Sequence, residues 1–193
     1  MNNTITYTAV ETDEEIQQIL ELQKRNLPQN LTPEQVSSQG FVTVIHSFDT
    51  LKKMNDTEAS IIAKAGDRVI GYLLAMTTEA KADIPVLIPM FTEFDKVVYH
   101  HKKISGYNYI VVGQVCIADG WRGQGILDDC YKAYRKHFQS RYDFAITEIL
   151  QTNKRSLKAH KRIGFESVHI YPDSKGNEWN IVLWDWQNKV DNS

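Results

Sequence analysis

The sequence predicts an α/β domain in which helices cover both faces of a single mixed, mostly antiparallel sheet of about six or seven strands. Two observations carry this prediction. Between residues 109 and 186, strand and helix patterns follow in the order strand, helix, strand, helix, strand, strand. Between residues 59 and 76, two apolar runs flank Gly66-Asp67-Arg68, which is typical of an antiparallel hairpin. A sheet containing both kinds of connection pairs its strands in both directions.

The N-terminal part of the chain predicts a strand followed by a capped helix. Residues 5–10 alternate between apolar and polar side chains, as a strand does. Thr12 and Glu15 have the spacing of a capping box, and apolar residues then recur at helical spacing, so we expect a helix over residues 13–26. The other elements expected before the hairpin are an extended segment at 41–45 and a short helix at 48–54.

Residues 77–108 give the weakest indication of secondary structure in the chain. They contain two prolines and the cluster Tyr99-His100-His101. A helix is expected around Met90 to His100, and its end would leave both histidines in solvent.

The last third of the chain has the clearest pattern. The nearly continuous apolar run from Tyr109 to Ile117 predicts a strand buried on both faces. The helix expected after it has an apolar stripe that consists of Ile126, Leu127, Cys130, Tyr131, Tyr134 and Phe138. We expect the remaining elements to be a strand at 143–150, a helix at 153–163 ended by Gly164, and a hairpin of 165–171 with 178–186.

Composition places the chain among ordinary globular proteins and excludes several classes. The formal net charge of the 193 residues is −2, which gives no reason to expect nucleic-acid binding. Cys116 and Cys130 are too few for a disulfide framework and do not form a metal-ligand pair. No signal peptide and no apolar run of membrane-spanning length is present, so we expect a cytoplasmic protein without membrane contact.

Two glycines, Gly123 and Gly125, lie between the strand at 109–117 and the next helix. Glycine lets a backbone approach a ligand closely, and a helix N-terminus presents unpaired N–H groups, so the turn suits a pyrophosphate. Arg122 adds a charged hydrogen-bond donor. The P-loop pattern is missing, and Asp128 stands where a dinucleotide fingerprint requires glycine, which excludes both sites. A plain strand-to-helix turn is the alternative that two glycines alone leave open.

Two blocks of sequence, separated by one expected helix and one expected strand, carry more information together than either does alone. The first block is Val115-Cys116-Ile117-Ala118-Asp119-Gly120-Trp121-Arg122-Gly123-Gln124-Gly125-Ile126-Leu127. The second block comprises Thr147-Glu148-Ile149-Leu150, Asn153, Ser156, His160 and Gly164-Phe165. Together they resemble the acetyl-CoA-binding core of the GCN5-related N-acetyltransferase (GNAT) family. The resemblance covers roughly residues 109–170.

This resemblance implies the acyl-CoA N-acyltransferase fold, with acetyl-CoA as co-substrate and no metal. It implies main-chain pairing of the pantetheine arm with Val115, Cys116 and Ile117. It implies that the remaining cofactor contacts come from Arg122, Gly123, Gln124, Gly125, Ile126, Leu127, Asn153, Ser156 and His160. Residues 1–193 would then form a single N-acetyltransferase domain, with a substrate-side half at 1–108 and the acetyl-CoA-binding core at 109–186.

The expected reaction is direct attack of a primary amine on the thioester in a ternary complex. The family often has tyrosine where this chain has His160, so we expect His160 either to protonate the departing thiolate or only to pack beside it. The general base is unassigned, and its candidates are Glu79, Glu93, His100, His101 and, less favoured, Glu148. Cys116 is expected to be a buried strand residue rather than a nucleophile.

The acceptor is expected to be the amine of a small molecule or a peptide. A non-catalytic acyl-CoA-binding sensor is the alternative, because the two blocks indicate binding rather than turnover. An acyl donor other than acetyl-CoA is a third possibility. Five cations are expected to form a solvated helix face, and the alternative is that one or two of them contact the adenosine phosphates of the cofactor (Lys154, Arg155, Lys158, Lys161, Arg162). Four aromatic residues are expected to be core or a homodimer surface rather than a substrate cage (Tyr171, Trp179, Trp184, Trp186).

Overall fold

The computed structural model describes residues 4–32, 42, 44–82 and 84–187. Its strands are β1 (Ile5–Ala9), β2 (Ile61–Ala65), β3 (Arg68–Met76), β4 (Val98–Tyr99), β5 (Lys102–Lys103), β6 (Tyr109–Ile117), β7 (Phe144–Leu150), β8 (Glu166–Pro172) and β9 (Glu178–Asp185). Its α-helices are α1 (Asp13–Arg25), α2 (Phe48–Thr57), α3 (Ile88–Phe94), α4 (Ile126–Phe138) and α5 (Lys154–Ile163).

Seven of these strands form one mixed sheet in the order β1-β2-β3-β6-β7-β9-β8, and β4 pairs with β5 in a separate hairpin. The pairing of β6 with β7 is parallel, whereas β1–β2, β2–β3, β7–β9 and β8–β9 are antiparallel. A mixed, mostly antiparallel sheet of seven strands confirms the predicted fold class.

The chain divides into two compact units. The first contains the residues up to Thr77 together with Val112–Tyr134, and the second contains Thr78–Val111 together with the residues from Arg135 onward. Both β6 and α4 therefore have residues in each unit. The division into a substrate-side half at 1–108 and a cofactor core at 109–186 stays a prediction.

In the first unit, helix α1 begins as the sequence predicts. The backbone N–H of Glu15 donates to Thr12 Oγ1 at 3.2 Å, and Glu15 Oε2 accepts from the backbone N–H of Thr12 at 3.2 Å. Lys64 Nζ on β2 donates to the other carboxylate oxygen of Glu15 at 2.8 Å. The capping box thus also joins α1 to the sheet.

The predicted hairpin of the first unit is confirmed with a shorter turn than expected. Ala65 pairs with Arg68, so that Arg68 is the first residue of β3 and the turn consists of Gly66 and Asp67. Gly66 has a φ of +61°, which glycine adopts without strain. Helix α2 extends three residues beyond the expected 48–54, and the expected extended segment at 41–45 lies partly outside the described residues.

In the second unit, the prediction of a helix from Met90 to His100 is wrong beyond Phe94. Helix α3 ends at Phe94, and Val98–Tyr99 pairs with Lys102–Lys103 around His100 and His101. These two histidines have φ values of +44° and +64°, so they form the left-handed turn of a hairpin rather than a solvated helix end. The sequence does not indicate this turn, because histidines occupy the two positions where asparagine and glycine usually occur.

The remaining elements of the second unit follow the prediction closely. Asn153 Oδ1 accepts from the backbone N–H of Ser156 at 3.2 Å and caps α5. Gly164 ends that helix with a φ of +120°, and a Cβ there would approach Trp184 Nε1 to 2.8 Å. Only glycine therefore fits both the backbone conformation and the space.

Candidate active site

The glycine turn before α4 has the geometry of an anion site. Gly120, Gly123 and Gly125 have φ values of +81°, +75° and +81°, a region that favours glycine. A Cβ on any of the three would meet no atom within 4 Å, so backbone conformation rather than crowding requires glycine. The backbone N–H of Asp129 donates to Gly125 O at 3.1 Å, which starts the hydrogen bonding of the 13-residue α4. The N–H groups just before Asp129 lie at the positive end of the helix dipole.

Arg122 is bound within the first unit rather than extended from the turn. Its Nε donates to Ile117 O at 2.9 Å, and its Nη2 donates to Asn26 Oδ1 at 2.5 Å. Asn26, directly after α1, in turn donates from Nδ2 to Leu22 O at 2.8 Å. Arg122 thus connects the end of β6 to the end of α1 and holds the glycine turn in place, a role that the sequence did not indicate.

The strand segment Val115–Ile117 ends β6 in the first unit. The pairing of β6 with β7 involves Tyr109, Ile110 and Val111, at the other end of the strand. Cys116 is buried, and burial raises the pKa of its thiol to about 12, although the nearby Arg122 acts in the opposite direction. A thiol with this pKa remains protonated at neutral pH, which opposes a nucleophilic role.

A buried amide network holds the segment before α2 against α1 and β6. Gln114 Oε1 accepts from Tyr72 Oη at 2.6 Å and from Gln23 Nε2 at 2.8 Å, and Gln114 Nε2 donates to Val44 O at 2.9 Å. Gln23 Nε2 also donates to His46 Nδ1 at 2.8 Å, and Gln23 Oε1 accepts from the backbone N–H of His46 at 2.9 Å. These bonds fix the orientation of both amides.

In the second unit, Asn153 caps α5, Ser156 lies in the first turn of that helix and His160 lies in its last turn. His160 is 2% exposed, and its ring packs edge-on against Phe165 with the centroids 5.0 Å apart. His160 Nδ1 lies 2.9 Å from Ser156 O. Because a carbonyl only accepts, Nδ1 carries the proton of the neutral ring.

Burial lowers the pKa of His160 to about 4, and the hydrogen bond to Ser156 only partly offsets it. The ring is therefore neutral at pH 7, with Nε2 unprotonated. Both features oppose the donation of a proton from Nε2 to a thiolate.

Glu148 on β7 is a carboxyl group of the second unit whose surroundings suit the acceptance of a proton at neutral pH. Burial raises its pKa to about 7. Tyr171 Oη on β8 donates to Glu148 Oε2 at 2.5 Å and acts against this rise, whereas the charges of Asp173 and Glu93 add to it. A pKa near the working pH is the property that a general base needs.

The four base candidates favoured from the sequence have less suitable surroundings, and His101 is exposed in the same turn as His100. Glu93 on α3 is bound to Lys96 at 2.6 Å. Glu79 is exposed on a 3₁₀ turn at Thr78–Ala82. His100 is exposed in the strained hairpin turn, with Nε2 at 4.0 Å from Asp185 Oδ2.

Two side-chain clusters noted in the sequence lie in the second unit. The five cations of α5 are all exposed, as a solvated helix face is. In the aromatic cluster, Tyr171 and Trp186 are buried, whereas Trp179 and Trp184 are half-buried. The core interpretation therefore suits Tyr171 and Trp186.

Sequence reasoning missed three residues and ranked a fourth too low. Asn26 and Gln114 carry no motif, and only their burial shows that they are structural. Tyr171 was grouped with the tryptophans, although its hydroxyl faces Glu148. Glu148 was ranked lowest among the base candidates because the groups around it belong to β8 and α3, which are separate elements of the chain.

Within the described part of the chain, no three histidine, cysteine or acidic side chains come together to hold a metal ion. No helix of that part is long and apolar enough to cross a membrane. No protein-family model and no curated protein sequence matches this chain.

Solved structures show which proteins share the fold. The ribosomal-protein-S18-alanine N-acetyltransferase of Escherichia coli matches with a TM-score of 0.62 and 11% identity, over 98% of this chain and 99% of that chain. NAA60 of Arabidopsis thaliana in complex with acetyl-CoA matches with a TM-score of 0.62 and 13% identity, over 94% and 99%. A GNAT-family acetyltransferase of Streptococcus agalactiae matches with a TM-score of 0.64 and 10% identity, over 95% and 96%. The chain therefore has the fold of these acetyltransferases.

Proposed function

We propose that this chain, which has the fold of GNAT acetyltransferases, transfers an acetyl group from acetyl-CoA to a primary amine of a peptide or small molecule. The observation that carries the proposal is the turn of three left-handed glycines at the N-terminus of the 13-residue α4. A glycine turn at a helix N-terminus can supply backbone N–H groups to a pyrophosphate.

The residues proposed to hold acetyl-CoA come from both sequence blocks. Backbone groups of Gly123, Gln124 and Gly125, with the start of α4 at Ile126 and Leu127, hold the pyrophosphate. Main-chain groups of Val115, Cys116 and Ile117 pair with the pantetheine arm. Arg122 positions the turn, and the resemblance also assigns Asn153 and Ser156 to the cofactor. When bound, acetyl-CoA supplies an acyl group activated as a thioester.

Glu148 is the proposed general base, in preference to Glu79, Glu93 and His100. The acceptor arrives mostly as an ammonium ion, and Glu148 takes one proton from it. The neutral nitrogen attacks the thioester carbon, and the C–S bond breaks. The nitrogen then loses a second proton as the amide forms, and the CoA thiolate gains one proton to become the free thiol. His160 is proposed as a packing residue, because proton donation would require a charged imidazole in a buried position.

Substitution of Gly125 tests the cofactor site. We expect Gly125→Glu to weaken acetyl-CoA binding about 100-fold or more, because it introduces a negative charge where the phosphates should lie. The measurement is titration calorimetry, supported by the thermal shift that acetyl-CoA causes. Gly66→Glu is the matched control, since Gly66 is also left-handed and a Cβ there meets nothing within 4 Å. Equal acetyl-CoA affinity of Gly125→Glu and wild type would contradict the proposed site.

A thiol-release assay, run beside this titration, distinguishes an enzyme from a sensor. Binding of acetyl-CoA accompanied by amine-dependent release of free thiol supports the transferase. Tight binding without thiol release on any amine supports a non-catalytic acyl-CoA-binding module instead.

A further inference from the structure

The hydrogen bond between Tyr171 and Glu148 spans three strands of the second unit. Glu148 on β7 pairs with Ile181 on β9, and Trp179 on β9 pairs with Tyr171 on β8. The phenol of Tyr171 therefore reaches across the intervening strand β9 to donate to Glu148 Oε2 at 2.5 Å. Tyr171 is 9% exposed, so its ring is fixed by packing.

Two acidic groups of the described chain, Asp173 and Glu93, act on Glu148 through their charges. Asp173, in the β8–β9 loop, accepts hydrogen bonds from Trp179 Nε1 at 3.1 Å and Asn177 Nδ2 at 2.9 Å. These bonds hold the pKa of Asp173 well below its usual value, so it stays charged. Glu93 is the second acidic neighbour. Burial and both charges disfavour ionised Glu148, and the Tyr171 hydroxyl is the contact that favours it.

We propose that Tyr171 is a positioning residue for acyl transfer, whose phenol holds one oxygen of the Glu148 carboxylate and orients the other toward the incoming amine. The inference rests on the proposed function, in which Glu148 is the base. Tyr171 does not give up its own proton, because burial and the bond to Glu148 raise the pKa of its phenol. The hydroxyl thus acts on the reaction through Glu148.

Tyr171→Phe keeps the buried ring and removes the hydroxyl. The pKa of Glu148 should then rise by about one pH unit or more, since a hydrogen bond to the charged form is lost. As a result, kcat/KM at pH 6 should fall about tenfold relative to wild type, whereas the loss at pH 9, where Glu148 is ionised in both proteins, should be small.

Two measurements test this expectation. The first is carboxyl-carbon NMR titration of Glu148 in the protein without substrates, with the resonance identified by its loss in Glu148→Gln. The second is the pH profile of kcat/KM. Tyr99→Phe is the matched control, because the Tyr99 hydroxyl also donates to carboxylates, Glu166 at 2.8 Å and Asp185 at 3.1 Å. It should leave the titration of Glu148 unchanged.

A raised Glu148 pKa in Tyr171→Phe, matched by a displaced acid limb of the pH profile, supports the proposal. An unchanged pKa overturns it. A loss of kcat/KM that is equal at pH 6 and pH 9 also overturns it, because the reaction would then not depend on how far Glu148 is ionised. If no amine is acetylated by the wild-type protein, the proposed function fails, and the NMR titration still decides whether Tyr171 controls Glu148.

Discussion

At the residue scale, the buried imidazole of His160 links the stability of the fold to pH. Its pKa is about 4 in the folded protein, against an ordinary value of 6.5. Between these values the unfolded chain binds a proton that the folded chain does not. The stabilising contribution is therefore complete above pH 6.5 and is lost as the pH falls toward 4, by at most about 3 kcal/mol.

We predict that the free energy of unfolding depends less steeply on pH in His160→Gln than in wild type between pH 6.5 and 4. Urea unfolding at a series of pH values measures this difference. The comparison with wild type is needed because other residues also make the free energy of unfolding depend on pH. His46, with a pKa lowered to about 4, contributes with the same sign as His160, whereas Glu148, with a raised pKa, contributes with the opposite sign. Identical slopes for the two proteins would show that His160 is not buried in its neutral form.

The sequence predicted the positions of His160 and Asn153 but not their surroundings. The spacing from Asn153 to Gly164 is a local property of one helix and can be found in a sequence. The pKa of His160 depends on burial and on Phe165, and that of Glu148 depends on Tyr171, Asp173 and Glu93. Burial and tertiary contacts of this kind are not encoded in spacing, which is why Glu148 was ranked below exposed candidates.

At the element scale, the hairpin of β4 and β5 contains the clearest backbone strain in the described chain. His100 and His101 both have positive φ, which costs non-glycine residues free energy. Asparagine and glycine fit such a two-residue turn much better.

We predict that the double substitution His100→Asn and His101→Gly increases the free energy of unfolding by about 1 kcal/mol. It should leave acyl transfer unchanged, because Glu148 and not His100 is the proposed base. Urea unfolding and thiol release are the two measurements. His137→Asn, at an exposed position of α4, is the control and should give no stabilisation. Lower stability would contradict the assigned turn, and lost activity would restore His100 as a catalytic candidate.

Elements with clear sequence patterns or clear end signals were predicted more accurately than the others. Helix α4 has a long apolar stripe, and α5 is bounded by Asn153 and Gly164, so both helices were placed within a few residues. The prediction for the segment around α3 was wrong because this helix is only 7 residues long and ends at Phe94 without a glycine. In addition, the next turn consists of two histidines, which do not usually indicate a turn. Short elements stabilised by tertiary packing give little signal in a sequence.

At the scale of the whole molecule, the sequence was sufficient for the fold class, and the comparisons with solved structures agree with it. It did not identify an acceptor, since residues 1–108 carry no diagnostic motif. The proposed role of Glu148 as the base narrows the choice of acceptor. A base with a pKa of about 7 removes a proton more readily from an α-ammonium group, with a pKa of about 8, than from a lysine side chain, with a pKa of about 10.

The central claim is acetyl-CoA-dependent acetylation of an amine, and the release of free thiol from acetyl-CoA tests it most directly. The assay at pH 7.5 compares peptides with a free α-amine, N-blocked peptides with one lysine, and small amines, with Gly125→Glu as the variant defective in binding. We predict amine-dependent thiol release by the wild-type protein, about tenfold or more faster with α-amines than with lysine side chains. Release no faster than that of Gly125→Glu with every amine would contradict the claim.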